Sequence, residues 1–167
     1  RAELQLNSAL PEVETGDRVF AGLDLSASRD LTALVLVFPK GGKYHVVTRF
    51  WLPEDGLRDK AHTERLPLDV WAEQGYLTTI SGPVIQPEVI AQAVAEVSQE
   101  YDLQLLAYDR WRIHDIQWEL DNLGAHVPMT PFGQGFKDRS PAKDKVEQFT
   151  TERKLCHSHN TILNMYA

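Results

Sequence analysis

Two aspartates occupy positions at which a carboxylate could carry out chemistry. Asp24 ends the apolar run 19–23, and Asp109 ends the apolar run 103–108. A carboxylate at the end of a buried strand is costly unless a positive charge lies against it. If the two strands are neighbours, the carboxylates share one edge of the sheet and repel each other unless a cation bridges them. Carboxylate oxygens favour Mg²⁺ or Mn²⁺, so the pattern indicates a divalent metal site.

Both aspartates also have a purely structural interpretation. Asp24 could cap the small-residue turn 26–28, and Asp109 could cap the helix that begins near Ile113. Asp30 is close enough to Asp24 along the chain to assist it, and we predict a turn or supporting role for it. The residue pattern alone leaves the choice between a metal site and two caps open.

The densest group of basic residues follows a glycine-rich loop over 131–138. Its members are Lys137, Arg139, Lys143 and Lys145. Lysine, arginine and backbone amides provide most phosphate contacts in nucleic-acid complexes, so this group could bind a DNA backbone. A solvated helix face explains the same residues equally well. Arg110 and Arg112 could also bind phosphate, or they could pair with Asp109 or Asp115.

The elements that must position these residues follow from hydrophobic periodicity and turn signals. Strands are predicted over 19–24, 31–38, 44–51, 76–80, 103–109 and 126–130. Helices are predicted over 87–101, 113–123, 140–153 and after Asn160, and 52–75 is predicted as a charged loop with a helical turn near 69–71. Three antiparallel strands followed by alternating strands and helices predict a mixed α/β sheet flanked by helices. Trp111 and Trp118 are predicted to be core residues.

Composition limits the class of protein without identifying it. A chain of 167 residues fits one domain, and no apolar run is long enough to cross a membrane. The net charge of −7 argues against a surface that is basic all over, but a local basic patch remains compatible with it. The single cysteine, Cys156, excludes an internal disulfide and fits a reducing cytoplasm.

Several separate strings, in order along the chain, resemble the nuclease domain of the terminase large subunit of tailed bacteriophages. They are residues 22–26 (GLDLS), 29–33 (RDLTA), 71–77 (WAEQGYL), 108–111 (YDRW) and 131–137 (PFGQGFK). The resemblance runs from about Arg18 to the end of the chain. It implies a ribonuclease H-like fold, in agreement with the order of strands predicted from periodicity.

The resemblance also implies a function. It indicates an endonuclease that cuts concatemeric double-stranded viral DNA during genome packaging, with Asp24 and Asp109 as metal ligands. Two ions, Mg²⁺ or Mn²⁺, about 4 Å apart would clamp the attacking and leaving oxygens of the phosphodiester. The third acidic ligand of the family is expected in a helix beyond Ala167.

Further expectations concern organisation, partners and location. Residues 1–17 are expected to be a linker or arm from a preceding ATPase domain, and 18–167 the nuclease domain, incomplete at its C-terminus. The small terminase subunit and the portal are expected partners, with no membrane association. The expected location is the cytoplasm of the infected or lysogenic bacterial host.

Three other functions compete with this interpretation. A Holliday-junction resolvase or transposase core shares the fold but does not explain the loop over 131–137. A non-catalytic domain that docks DNA or capsid proteins would not need Asp24 and Asp109. An actin-like or sugar-kinase ATPase would need glycines in its first phosphate loop, where this chain has Ser26, Ala27 and Ser28.

Overall fold

The computed structural model describes residues 13–26, 30–109, 112–133 and 135–157, together with Ile162. Within these residues, the chain forms seven strands and five helices. The strands are β1 (Arg18–Asp24), β2 (Thr32–Lys40), β3 (Lys43–Pro53), β4 (Thr78–Ile80), β5 (Asp102–Tyr108), β6 (Met129–Pro131) and β7 (Leu155–His157). The helices are α1 (Leu57–Glu64), α2 (Leu68–Glu73), α3 (Pro87–Glu100), α4 (Ile113–Asn122) and α5 (Phe136–Thr151).

All seven strands belong to one mixed sheet. Its order is β4-β3-β2-β1-β5-β6, and β7 pairs with the same edge of β3 as β4 does. The first three strands are antiparallel, whereas β5 is parallel to β1 and β6 is parallel to β5. The predicted mixed α/β sheet, antiparallel at its start and parallel afterwards, is therefore confirmed.

The side chains of β1, a strand in the middle of the sheet, alternate between its two faces. Val19, Ala21 and Leu23 are buried, whereas Phe20 and Asp24 are exposed. Successive residues of a strand point to opposite faces, so the buried set faces one layer of helices and Asp24 faces the other side.

The two faces of the sheet carry separate apolar clusters. Trp51 of β3 belongs to the larger cluster, whereas its neighbours Phe50 and Leu52 belong to the smaller one. The larger cluster joins the sheet to α3 and α4, and the smaller one joins β3 to α2 with Ile162. Strand β3 therefore has helices against it on both faces.

The structure corrects several predicted elements. Most of the loop predicted over 52–75 is helical, since α1 and α2 occupy it, and α1 has no buried residue that could produce a periodic pattern. Helix α5 begins at Phe136 rather than Ser140, because Gly135 is its N-terminal cap and Pro141 lies inside the helix. Strand β7 was not predicted. No helix among the described residues could cross a membrane.

The prediction that Trp118 is a core residue is wrong, because 63% of it is exposed to solvent. Trp111 and the start of the helix predicted after Asn160 lie outside the described residues. Ile162, which is described, is fully buried in the smaller cluster.

Candidate active site

The sheet brings Asp24 and Asp109 to the same edge. Strands β1 and β5 are parallel neighbours, and their last paired residues are Leu23 and Tyr108. The backbone amide of Asp109 donates a hydrogen bond to the Leu23 carbonyl at 3.3 Å. Each aspartate is the next residue after this pair, so the two carboxylates lie side by side where the strands end.

The charges at this edge act on each other. Partial burial raises the pKa of Asp24 above its ordinary value, and the negative charge of Asp109 raises it further. The guanidinium of Arg139 acts in the opposite direction and lowers that pKa. A carboxylate whose ionisation is disfavoured by a neighbouring negative charge is stabilised by a cation placed beside it.

The carboxylates of Asp24 and Asp109 are suitable ligands for a hard divalent cation. Carboxylate oxygens are the ligands that Mg²⁺ and Mn²⁺ prefer. Among the described residues, no group of three His, Cys, Asp or Glu side chains is arranged to hold a metal ion. The described part of the chain therefore supplies two acidic side chains, and a third would have to come from elsewhere.

The loop between β6 and α5 is fixed against the strand that carries Asp109. The amide of Phe132 donates to the carbonyl of Tyr108 at 2.8 Å. The carboxylate of Asp138, in the first turn of α5, lies against Gly133, so the start of the helix is folded back on this loop. These contacts bring Arg139, the next residue along the helix, within electrostatic range of Asp24.

The four basic residues predicted to bind DNA all lie on α5 and are all exposed. At about 100° of rotation per residue, Arg139 and Lys143 point in nearly the same direction, whereas Lys137 and Lys145 point away from them. The ammonium of Lys145 lies 5.5 Å from the ring centroid of Phe149, at the end of the helix away from Arg139. The group is therefore not one face, and only Arg139 has a resolved effect on the acidic pair.

Helix α5 runs along the strand direction, from the end of the sheet at which β1 ends to the end at which β1 begins. Its first turn is near Asp24, at the end of β1, and the Phe149 ring stacks on Tyr44, at the start of β3, with centroids 4.3 Å apart. Strands β1 and β3 run in the same direction, so the last residue of β1 and the first residues of β3 lie at opposite ends of the sheet. A helix of 16 residues is about 24 Å long, enough to span this distance.

The carboxylate of Asp30 contacts helix α1 rather than the acidic pair. Its carboxylate accepts a hydrogen bond from the Lys60 ammonium at 2.9 Å, and Lys60 also pairs with Glu64 at 2.8 Å. Behind it, the hydroxyl of buried Thr32 bonds to the hydroxyl and the amide of Ser26. The first contact joins Asp30 to α1 and the second joins Ser26 to β2, and the supporting role of Asp30 stays a prediction.

Sequence reasoning assigned no role to Lys60 or Thr32, because the hydrogen bonds of these side chains to Asp30 and Ser26 leave no local sequence pattern. Arg110, a predicted phosphate contact, lies outside the described residues.

Comparisons with known proteins agree on one family. The model of the terminase large subunit endonuclease domain matches residues 9–166. The terminase large subunit of Enterobacteria phage HK97 is 36% identical over 168 aligned positions, which cover 100% of this chain and 33% of that protein.

A solved structure gives the same result. The crystal structure of the HK97 bacteriophage large terminase matches with a TM-score of 0.82 and 37% identity, over 92% of this chain and 32% of that chain. The chain thus spans about a third of the length of each relative. The resemblance seen in the sequence motifs is confirmed, and the chain belongs to the family of terminase large subunit endonuclease domains.

Proposed function

We propose that this domain is a metal-dependent endonuclease that cuts concatemeric double-stranded viral DNA during genome packaging. The observation that carries the proposal is the adjacency of Asp24 and Asp109 at the ends of parallel strands in a chain of this family. Exposure of Asp24 supports it further, because a nuclease carboxylate has to be reached by DNA.

In this mechanism, Asp24 and Asp109 would hold two divalent cations, Mg²⁺ or Mn²⁺, with a third acid from beyond the described residues. Bound there, the ions would supply activation of the attacking water and stabilisation of the leaving 3′ oxygen, so no covalent enzyme intermediate would be needed. The two carboxylates must be ionised to hold the ions, and their mutual repulsion prepares the site for a positive charge.

We assign the phosphate contact nearest the cut to Arg139. Its charge already acts on Asp24, and its guanidinium can donate two hydrogen bonds to one phosphate. Lys143 points the same way one turn later and extends the contact along the backbone. Lys137, Lys145 and Arg110 are proposed as weaker contacts. By relation to the family, the proposed partners are an ATPase domain, the small terminase subunit and the portal.

Plasmid cleavage tests the proposal directly. Asp24→Asn and Asp109→Asn should each reduce nicking and linearisation with Mg²⁺ or Mn²⁺ by more than about 100-fold, exceeding the loss typical of groups that only orient a metal ligand. Asp102→Asn is the matched control, because Asp102 is an exposed aspartate at the start of β5, at the opposite end of that strand from Asp109, and it should cleave normally. Circular dichroism checks that all variants remain folded.

Mn²⁺ binding followed by electron paramagnetic resonance gives a readout that needs no turnover. Both active-site variants should bind Mn²⁺ more weakly than the unmutated chain and the control. Equal cleavage and equal Mn²⁺ binding by all four proteins would contradict the proposed site. DNA binding without cleavage, and without Mn²⁺ binding by the unmutated chain, would favour the non-catalytic docking domain.

A further inference from the structure

Trp118 lies on the side of α4 that faces away from the core. The helix buries Ile113, Ile116 and Leu120, whereas 63% of Trp118 is exposed to solvent. Large exposed aromatic side chains are unusual on a surface that contacts only water. Tryptophan is enriched at the centres of protein interfaces, where it contributes more binding energy than most residues.

A groove lined by both polar and apolar side chains lies along one side of α4. It has a volume of about 590 Å³ and lies between α4 and the segment that leads into β6. The lining residues are Gln117, Leu120, Asp121, Ala125, His126, Val127, Pro128 and Met129. Asp121 lies about 60° around the helix from Trp118, so this margin of the groove is next to the indole, although Trp118 does not itself line the groove. We call Trp118 and these lining residues the α4 groove.

Charge indicates what kind of partner fits the α4 groove. Helices α3 and α4 together contain six carboxylates and no lysine or arginine. Glu96 pairs with Arg49 at 3.8 Å, and Asp115 pairs with Arg112 at 3.5 Å. Among the described residues, no ion pair involves Glu119 or Asp121, which flank Trp118. Such a surface repels a DNA backbone and attracts a cationic partner.

We propose that the α4 groove docks a positively charged protein segment that inserts an apolar side chain beside Trp118. An amphipathic helix laid into an apolar groove is a common recognition mode, and the flanking carboxylates would pair with its lysines or arginines. Asp24 points to the opposite face of the sheet from α3 and α4. A segment bound here therefore leaves the acidic pair accessible, and the inference does not depend on the proposed nuclease activity.

Titration of the isotope-labelled chain with two synthetic peptides tests the inference by nuclear magnetic resonance. One is a short amphipathic peptide of lysine and leucine, and the other has glutamate in place of every lysine. The lysine peptide should shift the Trp118 indole signal and the amides of the α4 groove, and the glutamate peptide should not. Trp118→Ala should weaken binding at least about tenfold, as expected for an interface tryptophan. The double variant Glu119→Lys with Asp121→Lys should weaken it similarly.

Two substitutions on α2 are matched controls. Val70→Ala removes another exposed apolar side chain, and Glu73→Lys reverses another exposed charge. Neither should change the affinity for the lysine peptide. The inference is overturned if both peptides bind equally, if Trp118→Ala binds normally, or if the shifts lie on α5. It is also overturned if sedimentation velocity finds a dimer that Trp118→Ala dissociates, because the occupant would then be a second copy of the chain.

Discussion

Helices α3 and α5 have nearly the same length but are built in opposite ways. Six residues of α3 are buried, among them Ile90 and Val94, and none of its residues is basic. Helix α5 contains four basic residues, and none of its described side chains is buried. Helix α3 is held along its whole length by the core, whereas α5 is held mainly near its two ends.

The difference separates stability from function in this domain. Burying apolar side chains on α3 and α4 stabilises the sheet and fixes where β1 and β5 end. Helix α5 contributes little burial, but it brings Arg139 to the acidic pair and leaves Lys143, which pairs with Glu147 at 3.7 Å, exposed to solvent. A helix fixed only near its ends can adjust to a ligand at small cost, since few core contacts are lost when it moves.

The largest expected effect tests whether the two helices differ in stability as their burial implies. Ile90→Ala on α3 should destabilise the fold by about 2–5 kcal/mol, because Ile90 is 1% exposed and its removal leaves a cavity. Val146→Ala on α5 should change the free energy of unfolding by less than about 0.5 kcal/mol, since that side chain is 55% exposed. Urea denaturation measures both. Similar losses in the two variants would mean that α5 is packed as firmly as α3.

The same contrast explains which elements the sequence predicts. Strands β1 and β5 and helix α3 have enough alternating or periodic apolar residues to be recognised without tertiary information. Helix α1 has no buried residue, and β7 is three residues long and exists through its pairing with β3. These two elements depend on neighbouring segments and were not predicted, whereas α5 was predicted from its start signal although none of its described side chains is buried.

The residues of the candidate site also differ in whether the sequence predicts them. Asp24 and Asp109 were predicted because the runs before them are visibly strands. The fit of Asp138 against Gly133 and the hydrogen bond from Lys60 to Asp30 join residues whose partners no local pattern reveals. The exposure of Trp118 could have been predicted, because Ile113, Ile116 and Leu120 form the buried stripe and residue 118 falls on the other side.

A moderate effect on DNA affinity is expected for substitutions of the basic residues of α5. It tests whether Arg139 and Lys143, which point the same way, bind DNA more strongly than Lys145, which points away from them. Arg139→Gln should weaken binding to duplex DNA several-fold and reduce the slope of log affinity against log salt by about 1. Lys143→Gln should have a similar but smaller effect, and neither should alter stability. Lys145→Gln should have the smallest effect of the three, because its ammonium lies over Phe149 on another side of the helix. Fluorescence anisotropy at several salt concentrations measures the slopes, and equal slopes for all three variants would contradict this difference.

The smallest expected effect concerns the acidic pair itself. Burial and Asp109 raise the pKa of Asp24 in the folded state above its value in the unfolded chain. A carboxyl whose pKa is raised by folding destabilises the fold when ionised, so this cost appears as the pH rises above the ordinary aspartate pKa. Without divalent ions at pH 7, Asp24→Asn should therefore stabilise the domain, by about 0.5 kcal/mol after allowance for solvent screening.

That gain corresponds to a rise in Tm of about 1–2 °C for a domain of this size, measured by thermal unfolding in EDTA. It should vanish at a pH below the ordinary aspartate pKa, where the wild-type carboxyl is protonated, and Asp144→Asn on exposed α5 should show no gain at pH 7. Adding Mg²⁺ should reverse the order, because a bound ion stabilises only the chain that can hold it. A lower Tm for Asp24→Asn in EDTA would mean that the surroundings of Asp24 stabilise its ionised form. The two carboxylates would then not form a site that is destabilised without a cation, which is what their geometry indicates.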